Sequence, residues 1–254
     1  MDSVKVFGNY YNGMACFSST LSITNSDIFK NGNNEDSYTQ LVLEKSQVNI
    51  QNTQVHDGVN NWGVGIYTNS ECDMDSVKVF GNYYKGIDCE SSTLSITNSD
   101  IFKNGNNIWL KKSQVKIQNT QVHDGVNNVG ISIYDNSKCD MDSVKVFGNY
   151  YGIVCESSTL SITNSDIFKN GNNEGNYPQL WLENSQVNIQ NTQVHDGVNN
   201  RGIYIYNNSK CDIDSVKVFG NYYNGIDCHS STLSITNSDI FKNGNNIWLK
   251  NSQV

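Results

Sequence analysis

Apolar and polar residues alternate along most of the chain. Leu94 and Ile96 flank Ser95, Cys72 and Met74 flank Asp73, and Val115 and Ile117 flank Lys116. A period of two turns one face to a core and the other to solvent, so these segments read as half-buried strands, not helices. A second short strand is centred on Val79, Ile101 or Val122. A third carries Ile87 and Cys89, Ile108 and Leu110, or Ile131 and Ile133. Between them lie Asn-Ser, Asn-Gly and Asn-Asn pairs, which tolerate the left-handed backbone of tight turns.

The three-strand pattern recurs. The segment STLSITNSDIFKNGNN occurs verbatim at Ser19–Asn34, Ser92–Asn107, Ser158–Asn173 and Ser231–Asn246. Modules beginning with DSVKVFGNY start at Asp2, Asp75, Asp142 and Asp214, spaced by 73, 67 and 72 residues. Each divides into three units, seen in Ser70–Ser91, Ser92–Lys112 and Ser113–Asn136, so the underlying repeat is about 22 residues in roughly eleven copies. The longer modules carry one insertion each, Glu35–Gln40 and Glu174–Gln179. The expected fold is all-β: a single-stranded parallel β-helix, or solenoid, of about eleven coils with three short strands per coil. Residues 1–254 form one continuous solenoid. At about 4.8 Å per coil this is a rod roughly 50 Å long. A leucine-rich repeat has a similar period, but its L-x-x-L-x-L pattern is absent.

Two turn columns support the coil. One runs Asn9, Asn31, Gly58, Asn82, Asn104, Gly125, Asn149, Asn170, Gly197, Asn221, Asn243. The other places Asn25, Asn52, Asn98, Asn119, Asn164, Asn191 and Asn237 at one position, with Ser3, Ser76, Ser143 and Ser215 in the remaining units. Stacked Asn side chains can hydrogen-bond up and down such a ladder. Over its whole length the pattern resembles the right-handed parallel β-helix repeat family, which includes pectin-degrading enzymes and many surface proteins. The resemblance implies a fold and leaves the activity open.

A rod needs only a thin core, which accounts for a hydrophobic content of 37% and a mean hydropathy of −0.52. The single proline fits long strand ladders. The net charge of −8, with Arg201 the only arginine, argues against nucleic acid and anionic membranes as partners. No apolar run is long enough to span a membrane. The seven cysteines fall in core columns and read as buried thiols acting as small hydrophobes. Met1 and Val254 both align with positions inside strands, so neither end is capped. Open sheet edges invite pairing. The expectation is a piece of a longer repeat protein, or rods that stack end to end. An extracellular or cell-surface setting suits such a rod.

Candidate sites lie in outward columns. Phe7, Phe29, His56, Phe80, Phe102, His123, Phe147, Phe168, His195, Phe219 and Phe241 form a Phe, Phe, His cycle, each following an inward Ile or Val. It reads first as a stacked ladder and second as a sticky stripe for a partner or glycan. A second outward column carries Trp109, Trp181, Tyr204 and Trp248, interrupted by Ala15, Gly65, Asp88, Ser132 and Asp227. Exposed rings stack on sugars, so these four are candidate glycan-binding residues. Tyr38 and Tyr177, on the insertions, join them. The pairs Asp73/Asp75, Asp140/Asp142 and Asp212/Asp214 share an outer face but offer too few oxygens for calcium. They read as solvated surface. The pairs His56/Asp57, His123/Asp124 and His195/Asp196 are adjacent, which on a strand turns them to opposite faces.

Enzymes of the resembled family use clustered Asp residues with Gly-His-Gly and Arg-Ile-Lys motifs, or calcium-binding acids with a catalytic Arg. Neither tripeptide occurs here. Unrepeated residues are few: Trp62, Pro178, Arg201 and His229, in different coils and with no evident constellation. The outward cycle Thr97, Gln118, Asp142 lacks the regular Thr face of an ice-binding surface. The expected function is therefore a non-catalytic structural or interaction rod, adhesin-like or filament-forming, with no metal and no cofactor. Its expected partners are polysaccharide or further copies of itself. The alternative is a carbohydrate-active β-helix, either a lyase or hydrolase or an inactive glycan-binding relative.

Overall fold

A computed structural model describes residues 1–32, 38–126, 128–171 and 177–254. Residues 35–37 and 174–176 of the two expected insertions lie outside the described residues.

One coil illustrates the rest. Strands Lys78–Phe80, Lys85–Glu90 and Thr93–Thr97 follow one another, separated by tight turns. Each pairs in parallel with its equivalent one coil on: Val79 opposite Ile101, Cys89 opposite Leu110, Ile96 opposite Ile117. Among the described residues the strands build three parallel sheets of eleven, eleven and ten strands, named first, second and third in the order the chain meets them. All described elements are strands, and no helix is long and apolar enough to cross a membrane. The inward residues form vertical stacks that are all but solvent-free, as at Val79, Ile87, Leu94 and Ile101. Each fully buried aliphatic stabilises by on the order of 1.5–3 kcal/mol.

The cysteines occupy these stacks as free, buried thiols. Burial pushes the Cys89 thiol up to about 12 and the Cys155 thiol up to about 11. Both are therefore poor nucleophiles, and their role is packing.

The turns follow the sequence closely. Asn25, Asn52, Asn98 and Ser76 all have positive φ, between 48° and 56°. Asn and Ser take this left-handed geometry at small cost because their short side chains bond locally. Here the Asp-x-Asp reading needs correction. Asp75 is more than solvated surface: Asn98 Nδ2 donates to its Oδ1 at 2.8 Å and Thr97 Oγ1 at 3.0 Å. The Asn98 bond leads in holding the Asp75 carboxyl below the usual carboxylate range. Asp142 and Asp214 repeat the arrangement with Asn164 and Asn237.

The other turn column is a buried amide ladder. Asn82 Nδ2 donates to Asn104 Oδ1 at 2.9 Å, and Asn104 to Asn107 at 3.0 Å. Asn107 bridges to Asn149, Asn149 to Asn170, Asn170 to Gln179, Gln179 to Asn221 and Asn221 to Asn243. Asn107 and Gln179 thus cross the coils whose column residue is Gly125 or Gly197. Glycine is needed there: a Cβ on Gly125 would sit 2.9 Å from Asn149 Oδ1. The ladder satisfies polar groups that would otherwise be buried and unpaired.

Candidate functional site

The Phe, Phe, His column points outward from the first sheet and stacks. Ring centroids lie 4.5–5.4 Å apart with planes within 13° from Phe7 to Phe241. Interior rings are half-buried against each other.

The adjacent His and Asp residues are not on opposite faces. His123 Nδ1 lies 3.0 Å from Asp124 Oδ2, and His195 Nδ1 lies 3.0 Å from Asp196 Oδ2. In the first copy, His56 Nδ1 and Asp57 Oδ2 are 3.1 Å apart but off-line for a hydrogen bond. The alternation fails because the strand has ended: Asp57, Asp124 and Asp196 have φ of 50–52°, which swings the carboxylate back to the ring. Each Nε2 reaches 2.9 Å to an acid one coil below, Asp27, Asp100 or Asp166. Around His195, burial lowers the pKa, but the bonds and charges of Asp166 and Asp196 outweigh it and the net shift is upward. Three such clamps pin three rings of the ladder.

The outer face of the second sheet holds richer chemistry. Asp88 and Asp227 stand in the Trp column, where the sequence suggests interruptions of an exposed stripe; both are instead covered by neighbours and buried, at 4% and 0% exposure. Asp88 Oδ2 accepts from Lys85 Nζ at 3.1 Å and from Tyr67 Oη at 3.0 Å. Lys85 Nζ sits 3.5 Å above the Trp109 ring, with Trp62 at 5.5 Å. Burial raises the Asp88 carboxyl above the usual range, against the pull of Lys85. Its Oδ1 is buried with no partner. The adjoining cleft of about 550 Å³ is lined by Trp62, Tyr83, Tyr84, Lys85, Lys103 and Asn106, among others.

Asp227 gathers more partners. Arg201 Nε donates to its Oδ2 at 2.7 Å and Asn224 Nδ2 at 2.9 Å, while His229 Nε2 lies 2.8 Å from Oδ1. Arg201 also lies over the Tyr204 ring at 5.3 Å. Two of the four unrepeated residues therefore do meet at one site. Arg201 and His229 are in successive coils, and parallel pairing brings both to one carboxylate, a juxtaposition that linear spacing conceals.

Rings extend from this cluster along the rod. Tyr177 meets Tyr151 at 4.6 Å, Tyr151 meets Trp181 at 6.2 Å, Trp181 meets Tyr204 at 5.1 Å, Tyr204 meets His229 at 5.5 Å, and His229 meets Trp248 at 4.8 Å. Each contact is edge-on, at 61–72°. From Tyr151 to Trp248 the run draws on five consecutive strands of the sheet. Of the expected glycan-binding residues, Trp181, Tyr204, Trp248 and Tyr177 come together here. Trp109 belongs to the Asp88 pocket, and Tyr38 packs on Tyr11 at 5.0 Å near the other end. Tyr151, Asp227, His229 and Arg201 were missed as site members. Among the described residues, no group of three or more His, Cys, Asp or Glu is placed to hold a metal.

No protein-family model matches the chain, and no curated protein matches it in sequence. Solved structures do match in shape. A pectate lyase, Pel9A, is 14% identical with a TM-score of 0.60, over 87% of this chain and 70% of its own. A T265N mutant of the periplasmic alginate epimerase AlgG is 13% identical with a TM-score of 0.65, over 94% and 74%. The A-module of the mannuronan C-5 epimerase AlgE6 from Azotobacter vinelandii is 12% identical with a TM-score of 0.50, over 92% and 90%. At these identities the likeness is one of fold: this chain is built as the same kind of parallel β-helix.

Proposed function

We propose that this protein recognises a linear polysaccharide laid along the outer face of its second sheet. The observation that carries the reading is the run of rings from Tyr151 to Trp248, drawn from five successive coils, with Arg201 and Asp227 held against its Tyr204 and His229. Rings supply flat apolar contact for sugar faces, and the buried ion cluster supplies oriented donors. The structural neighbours include a pectate lyase and alginate epimerases, so pectate and alginate are the first polymers to try. The rod makes the spacing of the rings rigid, which lowers the ordering needed to bind.

Catalysis on the same polymer is a second reading, favoured by one observation. A buried carboxylate in contact with both an imidazole and a guanidinium is an acid–base arrangement, and here it occurs once, on the ring-bearing face. The test is retention of the protein on immobilised pectate and alginate, with Trp181→Ala and Tyr204→Ala as controls. Retention lost in the variants supports the reading; no retention of the parent protein on any polysaccharide removes it. Product analysis of the same polymers after incubation decides between binding and turnover.

A further inference from the structure

Stretches 47–111 and 186–250 are copies of one another, 65 residues long, and differ at eight positions. Four of the eight are Trp62/Arg201, Gly65/Tyr204, Lys85/Asn224 and Glu90/His229. Trp62 and Lys85 belong to the Asp88 pocket, and Arg201, Tyr204, Asn224 and His229 surround Asp227. The Gly65/Tyr204 exchange shows how the two pockets part. A Cβ at Gly65 would sit 2.6 Å from the Tyr67 ring, so the bare glycine lets Tyr67 lie down and reach Asp88. In the copy, Tyr204 fills that space, Tyr206 stacks on it at 5.8 Å, and Asp227 takes Arg201 and His229 instead.

Both pockets keep the same plan: a buried carboxylate holding a cation against a ring, Lys85 on Trp109 and Arg201 on Tyr204. They stand in the same column, six strands apart, which is roughly 29 Å at about 4.8 Å per strand. Between them, Ser132 and Val154 keep the column low, while Tyr134 lies 5.9 Å from Trp109 and Tyr151 lies 6.2 Å from Trp181. The cleft lined by Trp62 and Lys85 is roomy enough for a sugar.

We propose that the Asp88 pocket is a second polysaccharide subsite, and that one chain bridges it and the Asp227 pocket. This rests on the polysaccharide reading above. Bridging makes the second contact intramolecular, so affinity rises once the ligand is long enough to reach both.

The test is calorimetric titration with size-fractionated pectate and alginate oligomers. Affinity should increase at least tenfold over a narrow range of length near the 29 Å span. Lys85→Asn copies the residue found in the other pocket and so suits the fold; it should flatten the step, as should Trp62→Ala. Affinity that climbs smoothly with length, unaltered by both variants, overturns the second subsite while leaving the first in place. No binding at any length overturns the polysaccharide reading itself.

Discussion

Single residues on this scaffold range from interchangeable to critical, and burial separates them. Asp73 is exposed, and replacing it with Ala should change stability by no more than about 0.5 kcal/mol. Asp227 is fully buried between Arg201 and His229. Asp227→Ala leaves Arg201, Asn224 and His229 without their shared partner and should destabilise by about 3–5 kcal/mol in urea unfolding. His195 offers a sign-sensitive check. Its folded pKa is raised above 6.5, because Asp166 and Asp196 outweigh the opposing effect of burial. The stabilisation is thus fully present below 6.5 and is lost as pH rises through the folded value. An NMR titration should place the His195 midpoint above 6.5, and Asp166→Asn should lower it; a midpoint below 6.5 contradicts the clamp. The sequence hides this clamp, because alternation holds only to the strand end at His195 and Asp196, at φ 52°, lies one residue beyond it.

At the scale of elements, strands and turns were legible from sequence because they depend on local rules. Period-two alternation gave the three sheets, and the Asn and Ser turn positions took the left-handed backbone expected of them. The Phe, Phe, His ladder was also legible, since identical units stack their equivalents. What the sequence concealed depends on contacts between different columns. Gln179 and Asn107 complete the amide ladder from a neighbouring position, and Arg201 meets His229 only through Asp227. Comparing the two near-identical stretches is the signal that points to the second case, because their differences concentrate around the two buried carboxylates. The amide ladder carries its own prediction. Asn149 accepts from Asn107 and Gly125 and donates to Val122 and Phe147. Asn149→Ala strands these buried groups and should destabilise by about 3 kcal/mol in urea unfolding, more than removing an exposed turn residue such as Asn25.

The whole molecule is a rigid ruler whose faces differ. The first sheet presents a self-satisfied ladder of rings, and the second presents rings interleaved with buried ion clusters. Verbatim copying along the rod makes the divergent residues informative, and they gather on the second sheet. The central claim is that this face meets a polysaccharide. The chain has four tryptophans, Trp62, Trp109, Trp181 and Trp248, so its indole N–H groups make four readily assigned NMR signals. Titration with pectate or alginate oligomers should shift the Trp181 and Trp248 signals together in a saturable way, with the effect lost in Tyr204→Ala. Four indole signals that stay fixed at saturating polysaccharide would contradict the account.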